Sequence, residues 1–215
     1  MDNGIISLTF DDGYVSQFER ALPILDRYDI KATFYIITSN IRATGPVYFG
    51  CDKILALTAQ GHEIGAHTVS HPNLASTFLW KGREIRLSKE DLASIGIQAT
   101  SFAYPYGRHN KLVRWLVKRS GFDNARAADD RFSRRDRWRI ASMSITNTTT
   151  IDDVRAWIHA AQEKKYFLVL VFHEIEENPS MWGCTPSLLN EICRLLASTG
   201  LPLTTISDGW KMSGK

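Results

Sequence analysis

Residues 5–13 read Ile-Ile-Ser-Leu-Thr-Phe-Asp-Asp-Gly, IISLTFDDG. Ile5–Phe10 is a short apolar run with a β-branched start, the pattern of a buried strand. It runs directly into two adjacent carboxylates, Asp11 and Asp12, and then Gly13. A buried strand that delivers acids at its end supplies a metal, a proton, or both. Successive side chains of a strand point to different sides, so Asp11 and Asp12 need not share one task.

Downstream, strand and helix patterns alternate. Tyr14–Tyr28 has Phe18, Leu22, Leu25 and Tyr28 at helical spacing, with Pro23 marking a kink or the true helix start. Ala32–Ile37 and His62–Ala66 read as strands, and Asp52–Gln60 between them as a helix stopped by Gly61. Leu79–Ile95 reads as a long amphipathic helix, Thr100–Ala103 as a strand, Lys111–Arg119 as a helix and Asp123–Ala128 as a strand. Asp129–Arg139 is a charged loop. The arginine-rich stretch Arg126–Arg139 is read as a solvated segment. Ile151–Lys164 is a helix with Thr150 as its cap. Phe167–Phe172 (FLVLVF) is a strand buried on both faces. Pro186–Ser198 is a helix, and Leu203–Ile206 a last strand. This alternation predicts an α/β protein with about seven parallel strands, curled into a deformed TIM-like (β/α) barrel, and a single domain over residues 1–215.

Composition sets the outer limits. The chain has 215 residues, 44% of them hydrophobic, enough for a sizeable core. A net charge of +3 is too small to argue for nucleic acid. Cys51, Cys184 and Cys193 form no CxxC pair and read as buried or half-buried thiols. No apolar run approaches the ~20 residues of a membrane helix. The chain as given shows no signal peptide, which leaves a cytoplasmic protein or a secreted one with its leader trimmed. A monomer is the favoured state.

In a parallel barrel the chemistry gathers on loops after the strands' C-terminal ends. Asp11 and Asp12 follow the first strand, His67 and His71 the third, Pro105 and Tyr106 the fourth, and His173 the FLVLVF strand. Two histidines and one carboxylate form a common catalytic zinc set with a position left for water. A second acid beside that water suits a general base. The turn Tyr104–Gly107 can aim a main-chain N–H at an oxyanion. His173 at the barrel mouth can protonate a leaving group near neutral pH.

These stretches resemble the polysaccharide deacetylases with a NodB homology domain, carbohydrate esterase family 4. The matching segments are TFDDG at Thr9–Gly13, ATFYI at Ala32–Ile36, GHEIGAH at Gly61–His67, HTVSHP at His67–Pro72, YPYG at Tyr104–Gly107 and LVFH at Leu170–His173. They cover nearly the whole chain in order. The resemblance implies one divalent metal, zinc first, with cobalt, nickel or manganese as alternatives, held by Asp12, His67 and His71. It implies Asp11 as general base, the Tyr106 N–H at the oxyanion and His173 as general acid. The reaction implied is removal of N-acetyl groups from an acetylated amino-sugar glycan.

Tyr104, Pro105 and Arg126 are further candidates for holding substrate. Ala103 stands where many members carry an arginine that steadies the base, and Arg126 is the residue that would take its place. Tyr48, Trp80, Trp138, Trp182 and Trp210 are candidates to stack on sugar rings. A metal-dependent hydrolase of a small non-sugar amide and a non-catalytic glycan-binding module are the competing readings.

Overall fold

The computed structural model of the chain describes residues 4–42, 47–48, 50–76, 79–129 and 136–213. Seven strands form one sheet: β1 (Ile5–Asp12), β2 (Thr33–Ile36), β3 (Glu63–Ala66), β4 (Ser101–Ala103), β5 (Asn124–Arg126), β6 (Met143–Ser144) and β7 (Phe167–Phe172). Their order is β5-β4-β3-β2-β1-β7-β6, and every neighbouring pair is parallel. The sheet curls into an incomplete barrel with helices outside, the deformed (β/α) barrel that the alternation predicts. The helices are α1 (Leu22–Arg27), α2 (Cys51–Ala59), α3 (Lys81–Ser94), α4 (Lys111–Arg119), α5 (Ile151–Lys164), α6 (Pro186–Ala197) and α7 (Ile206–Met212).

Burial explains why β1 is central. Ile6, Leu8 and Phe10 pack into the main core beneath the helices, where Phe10 stacks between Phe34 and Phe172. The alternate residues Ser7, Thr9 and Asp11 are also buried, but are polar. That parity gives the barrel a second, smaller core of Ile5, Tyr35, Ala103, Ile140, Phe167, Val169 and Ile206. Side chains at every second position therefore rise toward the barrel mouth as a polar column.

The strand expectations change at one place. Leu203–Ile206 is not a strand: Leu203 makes one bridge to Ile6, and Thr205 then caps α7 by accepting from the Asp208 N–H. The seventh strand is instead β6, two residues pairing with Leu170 and Val171 of β7. A strand that short carries no periodicity to read. The helix expected over Tyr14–Tyr28 is present as one unbroken helical run from Val15 to Arg27, interrupted only by a π-helical turn at Gln17–Ala21, with Pro23 just past that turn in α1. A proline inside a helix removes one backbone donor, and the π turn beside it is the local irregularity at which such a kink is accommodated.

The arginine-rich stretch Arg126–Arg139 is also not uniformly solvated. Arg126 ends β5 and is buried, whereas Arg139 pairs with Asp129 at 2.8 Å. Asp130 and the remainder of 130–135 lie outside the described residues. Cys51, Cys184 and Cys193 are free thiols.

Candidate active site

The sequence-predicted residues converge on a cavity of about 370 Å3 at the C-terminal ends of the strands. Asp11, Asp12, His67, His71, Tyr104, Tyr106, Arg126 and His173 line it. Pro105 is buried in the turn behind them.

Asp12, His67 and His71 present ligand atoms that all lie within 4.8 Å of one another. The Asp12 Oδ1 stands 3.7 Å from the Nε2 of each histidine. His67 Nδ1 lies 2.9 Å from the Ala103 carbonyl oxygen, to which it donates, so its Nε2 keeps a lone pair facing the trio. The two Nε2 atoms are only 3.1 Å apart. Asp12 Oδ1 is buried without a hydrogen-bond partner. Two imidazole nitrogens and an orphaned carboxylate oxygen aimed at one point fit a divalent cation. Burial lowers His67 to about 3 and also lowers His71, which keeps both imidazoles neutral, as ligands must be. Burial and the neighbouring Asp11 charge push Asp12 up to about 7, against the Arg126 charge and the Tyr14 hydroxyl.

The loop carrying the histidines is held by several hydrogen bonds. Thr68 and His71 both have positive φ, 66° and 58°. Asp12 (74°) and Tyr106 (57°) share this property. Non-glycine residues in that region cost on the order of 1–3 kcal/mol each and cluster where a site is built. Glu84 on α3 supports the loop from outside: its carboxylate accepts from the N–H of Val69 at 3.0 Å, the N–H of Ser70 at 2.9 Å and the Ser70 hydroxyl at 3.0 Å. No pattern in the sequence marks Glu84 for this role.

Asp11 is buried and ion-paired to Arg126, whose guanidinium donates to Oδ2. Burial works to raise the Asp11 carboxyl. The Arg126 charge, with smaller contributions from the His67 and His173 imidazoles and the Arg126 hydrogen bond, outweighs it and holds Asp11 below the usual carboxylate range. Arg126 lies over the Tyr35 ring, 5.1 Å from its centroid. Gly65 pairs with Tyr35 in the sheet, and a Cβ on Gly65 would come within 2.4 Å of that ring. The glycine therefore makes room for the aromatic platform under Arg126.

His173 is half-buried, with Nε2 3.9 Å from Asp11 Oδ2. Burial lowers its pKa, opposed by the Asp11 charge. The expected proton donor near neutral pH is thus a neutral imidazole in this state. Tyr106 follows in a tight turn. The Gly107 and Arg108 N–H groups bond back to the Tyr104 and Pro105 carbonyls, and Tyr106 N–H stands outside those bonds. Gly107 has φ of +66°, and a Cβ there would meet Ala128 N at 2.6 Å. The Tyr104 hydroxyl donates to the Trp138 carbonyl at 3.0 Å, so its polar end is engaged.

Of the candidate sugar-stacking aromatics, only Trp182 lines the cavity, and it is 56% exposed. Tyr48 packs at a tilt against the cavity residue Tyr14, ring centroids 5.2 Å apart, Trp80 lies against Arg83 on the surface, and Trp138 and Trp210 pack against the cores. Tyr14, Arg108, Glu174 and Ser180 also line the cavity, and sequence reasoning gave none of them.

Curated and solved proteins resemble this chain. A peptidoglycan-N-acetylglucosamine deacetylase of Bacillus cereus is 37% identical over 120 residues, 54% of this chain and 41% of that protein. A chitin deacetylase of Colletotrichum lindemuthianum is 37% identical over 71 residues, 33% of this chain and 28% of that protein. The chain spans less than half the length of these relatives. Among solved structures, the Xyl-CE4 domain of a multidomain xylanase from the hindgut metagenome of Trinervitermes trinervoides superposes with a TM-score of 0.69 at 22% identity, covering 99% of this chain and 92% of that one. That likeness carries the fold. The family model for polysaccharide deacetylase matches residues 1–125, more than half of the chain. The chain therefore belongs to the polysaccharide deacetylase family.

Proposed function

We propose that the chain hydrolyses N-acetyl groups of an acetylated amino-sugar glycan in a cation-dependent reaction that releases acetate. The observation that carries this reading is the Asp12–His67–His71 donor set with Asp11 and His173 beside it on one cavity wall. A divalent cation at that set, zinc in the first instance, supplies a more acidic water and polarises the acetamide carbonyl.

Asp11, ionised at neutral pH, takes a proton from the attacking water. The Tyr106 N–H donates a hydrogen bond to the oxygen that gains charge as the carbonyl becomes tetrahedral. The C–N bond then breaks, and the leaving nitrogen needs a proton. His173 Nε2, 3.9 Å from Asp11 Oδ2, is placed to receive the proton that Asp11 took and pass it on. This route needs no imidazolium before the reaction begins, which suits the lowered pKa of His173. Trp182 and Tyr106, both exposed at the cavity, present flat apolar faces to sugar rings.

The test is acetate release from N-acetylglucosamine oligomers and acetylated polysaccharides by zinc-loaded protein, beside Asp11→Asn. The variant should bind zinc as the wild type does and lose turnover by about 100-fold or more. Near-wild-type turnover in the variant would move the base elsewhere. Hydrolysis confined to small non-sugar amides would favour the amidohydrolase reading.

A further inference from the structure

Gln17 is fully buried on the π-helical turn that follows β1, with 0% exposure. A buried amide is costly unless its polar atoms find partners, and an apolar side chain would fill the same space. Its Nε2 donates to the main-chain carbonyl of Asp11 at 2.5 Å and to that of His173 at 3.0 Å. Both partners are acceptors only, so the amide has one possible orientation.

The register of β1 and β7 gives this contact its meaning. Their ladder ends at the pair Phe10 and Phe172. Asp11 and His173 are the next residues on each strand, just past the last rung. One side-chain amide therefore continues the ladder by one step, at the two residues read above as proton carriers. Ser16, its neighbour on the same turn, accepts from the Ile175 N–H at 3.1 Å and grips the chain two residues beyond His173. A π turn places one extra residue in the helix, and such turns recur at functional sites.

We infer that Gln17 is a positioning residue that sets the separation of Asp11 and His173. This rests on the deacetylase reading for its catalytic consequence, though not for the contact itself. The 3.9 Å between the two side chains is too long for a hydrogen bond and must shorten for a proton to pass. Sub-ångström slack between β1 and β7 would act on that step, while His67 and His71, two of the three cation ligands, sit on the loop after β3.

The experiment compares zinc-loaded wild type with Gln17→Met, which keeps the volume and removes both donors, and with Gln17→Asn, which keeps an amide too short to reach both carbonyls. Ser16→Ala is the control, losing a hydrogen bond from the same turn to the same loop. At saturating zinc, Gln17→Met should lower kcat by about 30-fold and Gln17→Asn by about 10-fold, with KM within about threefold of wild type. Ser16→Ala should lower Tm and keep kcat within about threefold.

Amide hydrogen exchange reads the contact without turnover. Residues 12–13 and 174–175 should exchange at least about 10-fold faster in either Gln17 variant. Unchanged kcat in Gln17→Asn, or a kcat loss that follows Tm equally in Ser16→Ala, would overturn the inference. Wild-type protein that releases no acetate would instead overturn the deacetylase reading. The exchange rates then decide the contact alone, and unchanged rates overturn it.

Discussion

Arg126 and Ala103 are register partners on adjacent strands, β5 and β4. The family resemblance leads one to expect an arginine at the Ala103 position; in this chain the guanidinium that pairs with Asp11 comes from Arg126, one strand over at the same height. The small Ala103 leaves the interior open for the Arg126 side chain, which crosses to Asp11 over the Tyr35 ring.

This exchange of positions is testable. Arg126→Ala leaves Asp11 buried with no cation, a change that typically costs about 3–5 kcal/mol. The variant should have a lower Tm, and its turnover should fall by about 100-fold or more. Adding Ala103→Arg in the same chain should recover part of both losses, since the new guanidinium starts from the neighbouring strand. A double variant no better than Arg126→Ala, by calorimetry and acetate release, would show that the two positions are not equivalent.

Cation binding should depend on pH through Asp12. Its carboxyl is held near 7 by burial and by the Asp11 charge, whereas His67, near 3, is already neutral. A ligand must be ionised to bind, so each cation bound below pH 7 displaces about one proton from Asp12. Zinc affinity should rise about tenfold per pH unit up to about 7 and then level off. Titration calorimetry in buffers of different ionisation enthalpy measures both quantities. A flat affinity over the roughly 1.5 pH units below the Asp12 pKa would contradict this.

Glu84 should act on the cation site without touching it. Glu84→Gln keeps one acceptor, while Val69 N–H, Ser70 N–H and the Ser70 hydroxyl now compete for it. Outer supports of metal ligands are worth about 10–100-fold in affinity. Zinc affinity in Glu84→Gln should weaken toward that range, with sugar binding by zinc-free protein unchanged. Equal zinc affinity in variant and wild type would leave Glu84 a helix residue and no more.

Trp182 should act on substrate and not on chemistry. Stacking of a nucleic-acid base on an aromatic side chain contributes about 1–3 kcal/mol, and a sugar face lying on Trp182 is expected at the lower end of that scale. Trp182→Ala should therefore raise KM for an acetylated oligosaccharide about 10-fold, with little change in kcat. A fall in kcat at constant KM would place Trp182 at the reacting group instead.

The sequence made the strand-end residues legible because each is tied to a buried strand with its own signature. FLVLVF points to His173 and IISLTF to the two aspartates. Supporting groups left no comparable trace. Gln17 lies on a π turn, whose extra residue breaks the 3.6 spacing that a helical reading uses. Glu84 lies on α3, and only the folded chain brings it to the histidine loop. β6 is two residues long, below any readable period, and α7 is announced only by a Thr205 cap within an apolar stretch that also suits a strand. Arg126 was legible as a candidate, but its position under Asp11 depends on the registration of β5 with β4.

The pairing of Arg126 with Asp11 also measures the shape of the molecule. In the strand order, β5 and β1 are four steps apart. Measured along a flat sheet, four steps of ~4.8 Å separate two strands by about 19 Å, well beyond the reach of one arginine and one aspartate. Their contact exists only because the sheet bends round to bring its edge back over its centre. The ion pair is thus a chord drawn across the curve. Any change that flattens the sheet, however distant from the cavity, lengthens that chord and frees Asp11 from its counter-charge.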